Sequence, residues 1–192
     1  MLAITKRGVF LLLSSLTLLH LTLAAASPSD IANAVNSLAS ETFSLKDYVS
    51  SVATSSNSGG IQSIYDQLDD IHDHTLSDIG FTSGTPVIQD TNDQQVVYES
   101  YSNWVQSLFE LTDNLTGNAA ALISLDQEVS TRMPFEIRIF SGVVDAYLFN
   151  LIGLWPTTTA YVAQASNQKN QVDDHFQKAL NAYPATGSGN FN

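Results

Sequence analysis

One short segment concentrates the side chains that could bind a metal ion or transfer a proton. It reads Asp69-Asp70-Ile71-His72-Asp73-His74, with Asp78 four residues further on. A zinc pair on a helix needs ligands at i and i+4, on one face. His72 and His74 project about 200° apart around a helix, so they cannot share an ion there. We predict no metal site and no cofactor, and we place His74 and the aspartates on the solvent side.

The familiar catalytic patterns are missing from the sequence. It has no cysteine and no G-x-S-x-G motif, and Ser58-Gly59-Gly60 lacks the lysine of a phosphate-binding loop. Asp173-Asp174-His175 has the same spacing problem as the first cluster. We therefore expect a protein that is not an enzyme, with an exported hydrolase as an alternative. The carboxylates that such a hydrolase could pair across helices are Glu99, Glu110, Glu128 and Glu136.

The first 26 residues are typical of a secretory signal peptide. Lys6 and Arg7 precede the apolar run 9–23, and the alanines at 24–26 supply a cleavage site. Removal of residues 1–26 takes two of the 7 basic residues and none of the 19 acidic ones, so the net charge changes from −12 to −14. Such a surface disfavours nucleic acid and anionic lipid headgroups. We expect a secreted protein, extracellular or in a cell wall, that does not span a membrane.

Apolar residues recur at helical spacing along the rest of the chain. Ser27 and Pro28 are typical of an N-cap and a first helical residue. Pro134 is expected to kink or restart the chain. We predict an all-α protein, an antiparallel bundle of five to six helices in a single domain over residues 27–183, with a flexible tail at 184–192. The predicted helices cover about 28–55, 61–79, 91–117, 119–132, 135–155 and 158–183.

The middle of the chain has more apolar surface than a helical bundle needs. From Phe135 to Trp155 apolar residues encircle the axis, which is typical of a central helix or of one with a face reserved for something else. Within it, Asp145 and Asn150 are either satisfied polar residues or a handle for a lipid headgroup, with Arg138 as a nearby cation. We expect surplus apolar surface to line a cavity or form a patch. The expected lining of a ligand site is Tyr101, Trp104, Leu108, Phe140, Val144, Tyr147 and Leu151.

A sequon for N-glycosylation lies near the end of the third predicted helix. It reads Asn114-Leu115-Thr116 and is followed by Gly117. Because glycine often ends a helix, we expect Asn114 at a helix end on the surface, accessible to a glycan.

Two short patterns in this sequence resemble those of the fungal hydrophobic-surface-binding and cell-wall galactomannoprotein family. S-D-I-x-x-x-V-x-x-L opens the mature chain, F-x-x-A-L comes near its end, and Gly59-Gly60 separates the first two helices. The resemblance implies a secreted, glycosylated helical protein that adsorbs to hydrophobic surfaces or holds lipid. The residues that carry it are Ser29, Asp30, Ile31, Val35, Leu38, Phe176, Ala179 and Leu180.

These observations lead to one expected function and one alternative. We expect a non-catalytic protein that binds hydrophobic surfaces or fatty-acyl lipids at or near the fungal cell wall, with cell-wall polysaccharide as a further candidate partner. The alternative is a structural cell-wall mannoprotein or a secreted interaction protein without a small-molecule ligand. An elongated tunnel between residues 97–109 and 139–155 would favour lipid, and a solid core would favour the structural role.

Overall fold

The structure is a computed structural model that describes residues 25–55 and 57–183. Over these ranges the chain is all-α, as predicted, and contains no β-strand. The predicted tail and all but the last two residues of the predicted signal peptide lie outside the described residues. The five helices are α1 (Pro28–Ser55), α2 (Gly60–Thr82), α3 (Thr91–Leu125), α4 (Val129–Ile152) and α5 (Ala160–Asn181).

Side-chain caps fix where two of the helices begin. The Ser27 hydroxyl accepts a hydrogen bond from the backbone N–H of Asp30 at 3.2 Å, which confirms the predicted N-cap of α1. Asp90 caps α3 by accepting from the backbone N–H groups of Asn92 and Asp93, at 2.8 and 3.1 Å. Gly84, with a φ of 81°, turns the chain between α2 and α3 in a conformation that glycine adopts without strain.

The predicted break at Gly117 is wrong. α3 continues through it to Leu125, and Gly117 is exposed with no atom within 4 Å of where a Cβ would lie. A glycine inside a helix costs about 1 kcal/mol relative to alanine, and the burial of Leu115 and Leu122 on either side outweighs that cost. Pro134 lies inside α4 rather than at its start. The short helix predicted over 119–132 is therefore divided between α3 and α4.

Helices α1 and α3 pack side by side in the same direction. The amide of Asn36 donates to the Ser100 hydroxyl at 2.9 Å, and the amide of Asn114 donates to the Ser50 hydroxyl at 2.5 Å. Both pairs join residues 64 positions apart. A constant offset along two helices means that they run parallel.

Helix α5 is parallel to α3 on its other side. The Tyr101 hydroxyl, in the first half of α3, donates to the carbonyl of Ala165 in the first half of α5 at 2.8 Å. At the far end the Tyr183 hydroxyl donates to the carbonyl of Leu115, also at 2.8 Å. Helices α1, α3 and α5 therefore form one layer of three parallel helices, with α3 in the middle.

The second layer consists of α2 and α4, which run back in the opposite direction. Arg132 donates to the side chain of Gln62 at 3.0 Å, and Asn150 donates to the Thr82 hydroxyl at 2.9 Å. These pairs again have a nearly constant offset, so α2 and α4 are parallel. Consecutive helices are antiparallel, as predicted, while neighbours within each layer are parallel. In the described part of the chain, no helix is both long and apolar enough to cross a membrane.

Candidate functional site

The seven residues that we expected to line a ligand site lie together in the core. Each has only 0–1% of its surface exposed. The ring centroids of Trp104 and Tyr147 are 5.5 Å apart, and those of Phe140 and Phe176 are 5.7 Å apart. Since almost no surface of the seven is open to a water-sized sphere, they line no tunnel in this conformation. Their role in ligand binding stays a prediction that would require the helices to separate.

The surplus apolar surface lies instead on the outward face of α4. Five residues on this face, separated by 4, 3, 4 and 3 positions in the sequence, are all exposed and apolar. We call them the α4 face: Phe135, Ile139, Gly142, Ala146 and Phe149. Their spacing places them on one stripe about 21 Å long. The side chains at its two ends, Phe135 and Phe149, are 59% and 72% exposed. The sequence indicated either a central helix or one with a face reserved for something else, and the structure shows that this face of α4 is exposed and apolar.

Two exposed residues of α4 lie outside the α4 face, and both have polar or charged side chains. Arg138 and Thr131 are the remaining exposed positions of α4. Asp145, at the edge of the α4 face, forms an ion pair with Lys169 of α5. Asn150 donates to Thr82, so it is a satisfied polar residue at the α2–α4 contact.

An apolar groove begins where the α4 face ends. Its walls are the loop before α3 and the turn between α4 and α5, which are joined by a hydrogen bond from the Ile88 N–H to the carbonyl of Leu154 at 2.8 Å. The side-chain amide of buried Gln94 donates to the carbonyl of Ile88 at 2.9 Å. The backbone carbonyl of Gln94 accepts from the indole N–H of Trp155 at 3.1 Å. These bonds hold two irregular segments in one fixed arrangement.

The groove has a volume of about 520 Å³ and no charged side chain in its lining. Sites for small molecules are commonly 300–1,000 Å³ and mostly apolar. Trp155 lines the groove, and its ring lies edge-on to Tyr98 and Tyr101, with centroid distances of 5.9 and 5.6 Å. The lining residues are Val87, Gln89, Phe149, Ile152, Gly153, Trp155, Pro156, Thr157, Thr158 and Val162.

The acidic and histidine cluster of α2 contacts α1 through His74. His74 Nδ1 lies 3.0 Å from the Glu41 carboxylate, and its Nε2 lies 3.8 Å from Asp78 Oδ2. The prediction that the aspartates face solvent is wrong for Asp78, whose side chain is only 9% exposed. Burial raises the pKa of the Asp78 carboxyl, and His74 partly offsets this. Among the described residues, no three histidine or acidic side chains converge as metal ligands would.

The sequon asparagine is placed differently from our expectation. Asn114 lies in the interior of α3, half-buried, with its amide directed at Ser50 of α1. The same amide nitrogen would carry an N-linked glycan.

Two of the glutamates that a hydrolase could have used form ion pairs, Glu110 with Lys46 at 3.3 Å and Glu136 with Arg132 at 3.1 Å.

Comparisons with known proteins found no match to this chain among protein-family models, curated proteins or solved structures. The resemblance to the hydrophobic-surface-binding family therefore stays a hypothesis that depends on the short sequence patterns described above. What the protein does has to be argued from its own surface.

Proposed function

We propose that this protein is a secreted, non-catalytic binder of apolar surfaces and acyl chains, acting at or near the fungal cell wall. The observation that supports this proposal is the continuous apolar surface formed by the α4 face and the groove. Elsewhere the chain is strongly acidic, with a net charge of −12. An exposed aromatic side chain such as Phe149, with no cover in the described part, is a common feature of binding surfaces.

In this proposal the groove binds an acyl chain and the α4 face binds an extended apolar surface. An acyl chain would lie against Phe149, Ile152 and Val162, with its polar end at the hydroxyls of Thr157 and Thr158. The α4 face would lie flat on an extended apolar surface. Complete burial of a phenylalanine contributes about 1.5–3 kcal/mol, and most of the Phe149 side chain is free to contribute in this way.

The test is adsorption of the mature protein to an octyl resin and titration with a fluorescent fatty acid. Phe149→Ser should weaken both by about tenfold, which corresponds to about 1.4 kcal/mol. Val96→Ser is the matched control, because Val96 is also exposed, at 45%, but lies on α3 where it faces α1, away from both the groove and the α4 face. Equal affinity of wild type and Phe149→Ser would contradict the proposal, as would absence of saturable binding.

The second candidate is a structural wall protein or a secreted interaction protein without a small ligand. The close packing of the seven core residues favours it, since we expected a solid core for that role. Fractionation of a culture separates the two. The structural role would be supported if the protein stays in the cell-wall fraction and binds neither octyl resin nor fatty acid.

A further inference from the structure

We propose that the α4 face is also a self-complementary interface, through which two copies of this chain pair in an antiparallel dimer. The α4 face has the strict 4-3-4-3 spacing that is typical of one helix packed along another in a coiled coil. Within the monomer this stripe points outward, so no helix of residues 25–55 and 57–183 covers it. The occupant that its sequence fits is a second α4.

The sizes of the side chains match when α4 is paired with itself around Gly142. In that register Phe135 of one copy lies beside Phe149 of the other, and Ile139 lies beside the small Ala146. The two Gly142 residues meet at the centre. A Cβ added at Gly142 would have no atom within 4 Å in the monomer, so the glycine leaves space for a close approach of a second helix.

The charges beside the stripe select the antiparallel direction. Arg138 is exposed and forms no ion pair among the described residues, and Asp145, with its side chain 49% exposed, lies on the same edge of the stripe seven residues later. In a two-fold antiparallel pair the same edges of the two helices meet. Arg138 of each copy then lies next to Asp145 of the other. In a parallel pair, that edge would meet the opposite one, which carries Glu136 and Val143, both buried.

This pairing is isologous, because each copy contributes the same surface, and it closes after two molecules. It goes beyond the proposed function, although it uses the same surface. In solution the second copy would cover the α4 face, and after adsorption an extended apolar surface would cover it instead. A protein that adsorbs to octyl resin but sediments only as a monomer keeps the proposed function and overturns this inference.

Sedimentation velocity over a wide concentration range tests the pairing. We expect a dimer for the wild type and a monomer for Gly142→Glu, which introduces a charge at the centre of the interface. Gly80→Glu is the matched control, because Gly80 is another exposed helical glycine with no atom within 4 Å of a Cβ, and it should remain dimeric. A wild type that stays monomeric, or a dimeric Gly142→Glu, would overturn the inference.

Cross-linking then tests the direction, since the natural chain has no cysteine. Gly142→Cys should form a disulfide-linked dimer under mild oxidation. Phe135→Cys should cross-link with Phe149→Cys when the two variants are mixed, and much less with itself, because a disulfide requires Cα atoms within about 7 Å. Preferential cross-linking of Phe135→Cys with itself would indicate a parallel pair and overturn the proposed geometry.

Discussion

The junction between α1 and α2 gives the sharpest stability prediction. Gly60 is the first residue of α2, and a Cβ placed on it would lie 2.5 Å from Cγ2 of Val52. Carbon atoms in contact prefer about 3.5–4.0 Å. Val52 is buried and β-branched, so it cannot rotate away without cost. We expect Gly60→Ala to lower the free energy of unfolding by about 1–3 kcal/mol, the usual range for an overpacked core.

Gly80→Ala, in the same helix, is the matched control. Nothing lies within 4 Å of its Cβ position, so the substitution should stabilise the protein by about 0.5–1 kcal/mol through the smaller entropy of the unfolded chain. Urea denaturation followed by far-UV circular dichroism measures both effects. Val52→Ala should make Gly60→Ala harmless, which a double-mutant cycle detects as coupling. Stabilisation by Gly60→Ala in the wild-type background would refute the reasoning.

Three further predictions concern buried polar groups and the sequon. Tyr101→Phe removes a hydroxyl that donates to a carbonyl of α5, so it should lower the free energy of unfolding, measured by urea denaturation, by about 1–2 kcal/mol. Tyr147→Phe removes a buried hydroxyl with no hydrogen-bond partner in the described part, so it should be neutral or stabilising. Equal losses of stability in the two variants would refute this contrast. Burial raises the pKa of the Asp78 carboxyl, so the folded protein keeps this proton at a pH where the unfolded chain releases it. The stability of the wild type relative to Asp78→Asn should therefore fall as the pH rises from about 4 through the folded pKa, and a constant difference would contradict the burial argument. Thr116→Ala destroys the sequon but keeps the Asn114 amide, so we expect it to remove the glycan and raise the electrophoretic mobility of protein secreted by a eukaryotic host, and unchanged mobility would exclude a glycan there.

The helices were predictable because each buries one stripe at helical spacing. The starts of α1 and α3 were close to expectation, since Ser27 and the polar residues around Asp90 offer side-chain caps. The helix through Gly117 was not predictable from local signals, because the burial of neighbouring leucines outweighs the propensity of a single glycine. The parallel order of α1, α3 and α5 depends on contacts between residues far apart in the sequence.

The candidate site was predictable only in part. Periodicity selects residues such as Tyr101 and Tyr147 as inward-facing, but it does not distinguish a solid core from the wall of a cavity. The all-round apolar character of residues 135–155 did indicate a face beyond the needs of the core, and that face is exposed on α4. The groove was missed because its walls are two irregular segments, whose proximity depends on the Ile88 to Leu154 hydrogen bond.

The direction of the helices determines how this molecule would be presented if it were tethered. α5 begins beside the groove and ends at Asn181, about 33 Å away along its axis, two residues before Tyr183. A linker or anchor attached after Tyr183 would thus hold the protein by its far end, with the groove pointing away from the support. Attachment before Ser27, where the first helix starts, would place the support at the same end as the groove and obstruct it. Immobilised samples for ligand capture should accordingly be coupled through the carboxyl terminus.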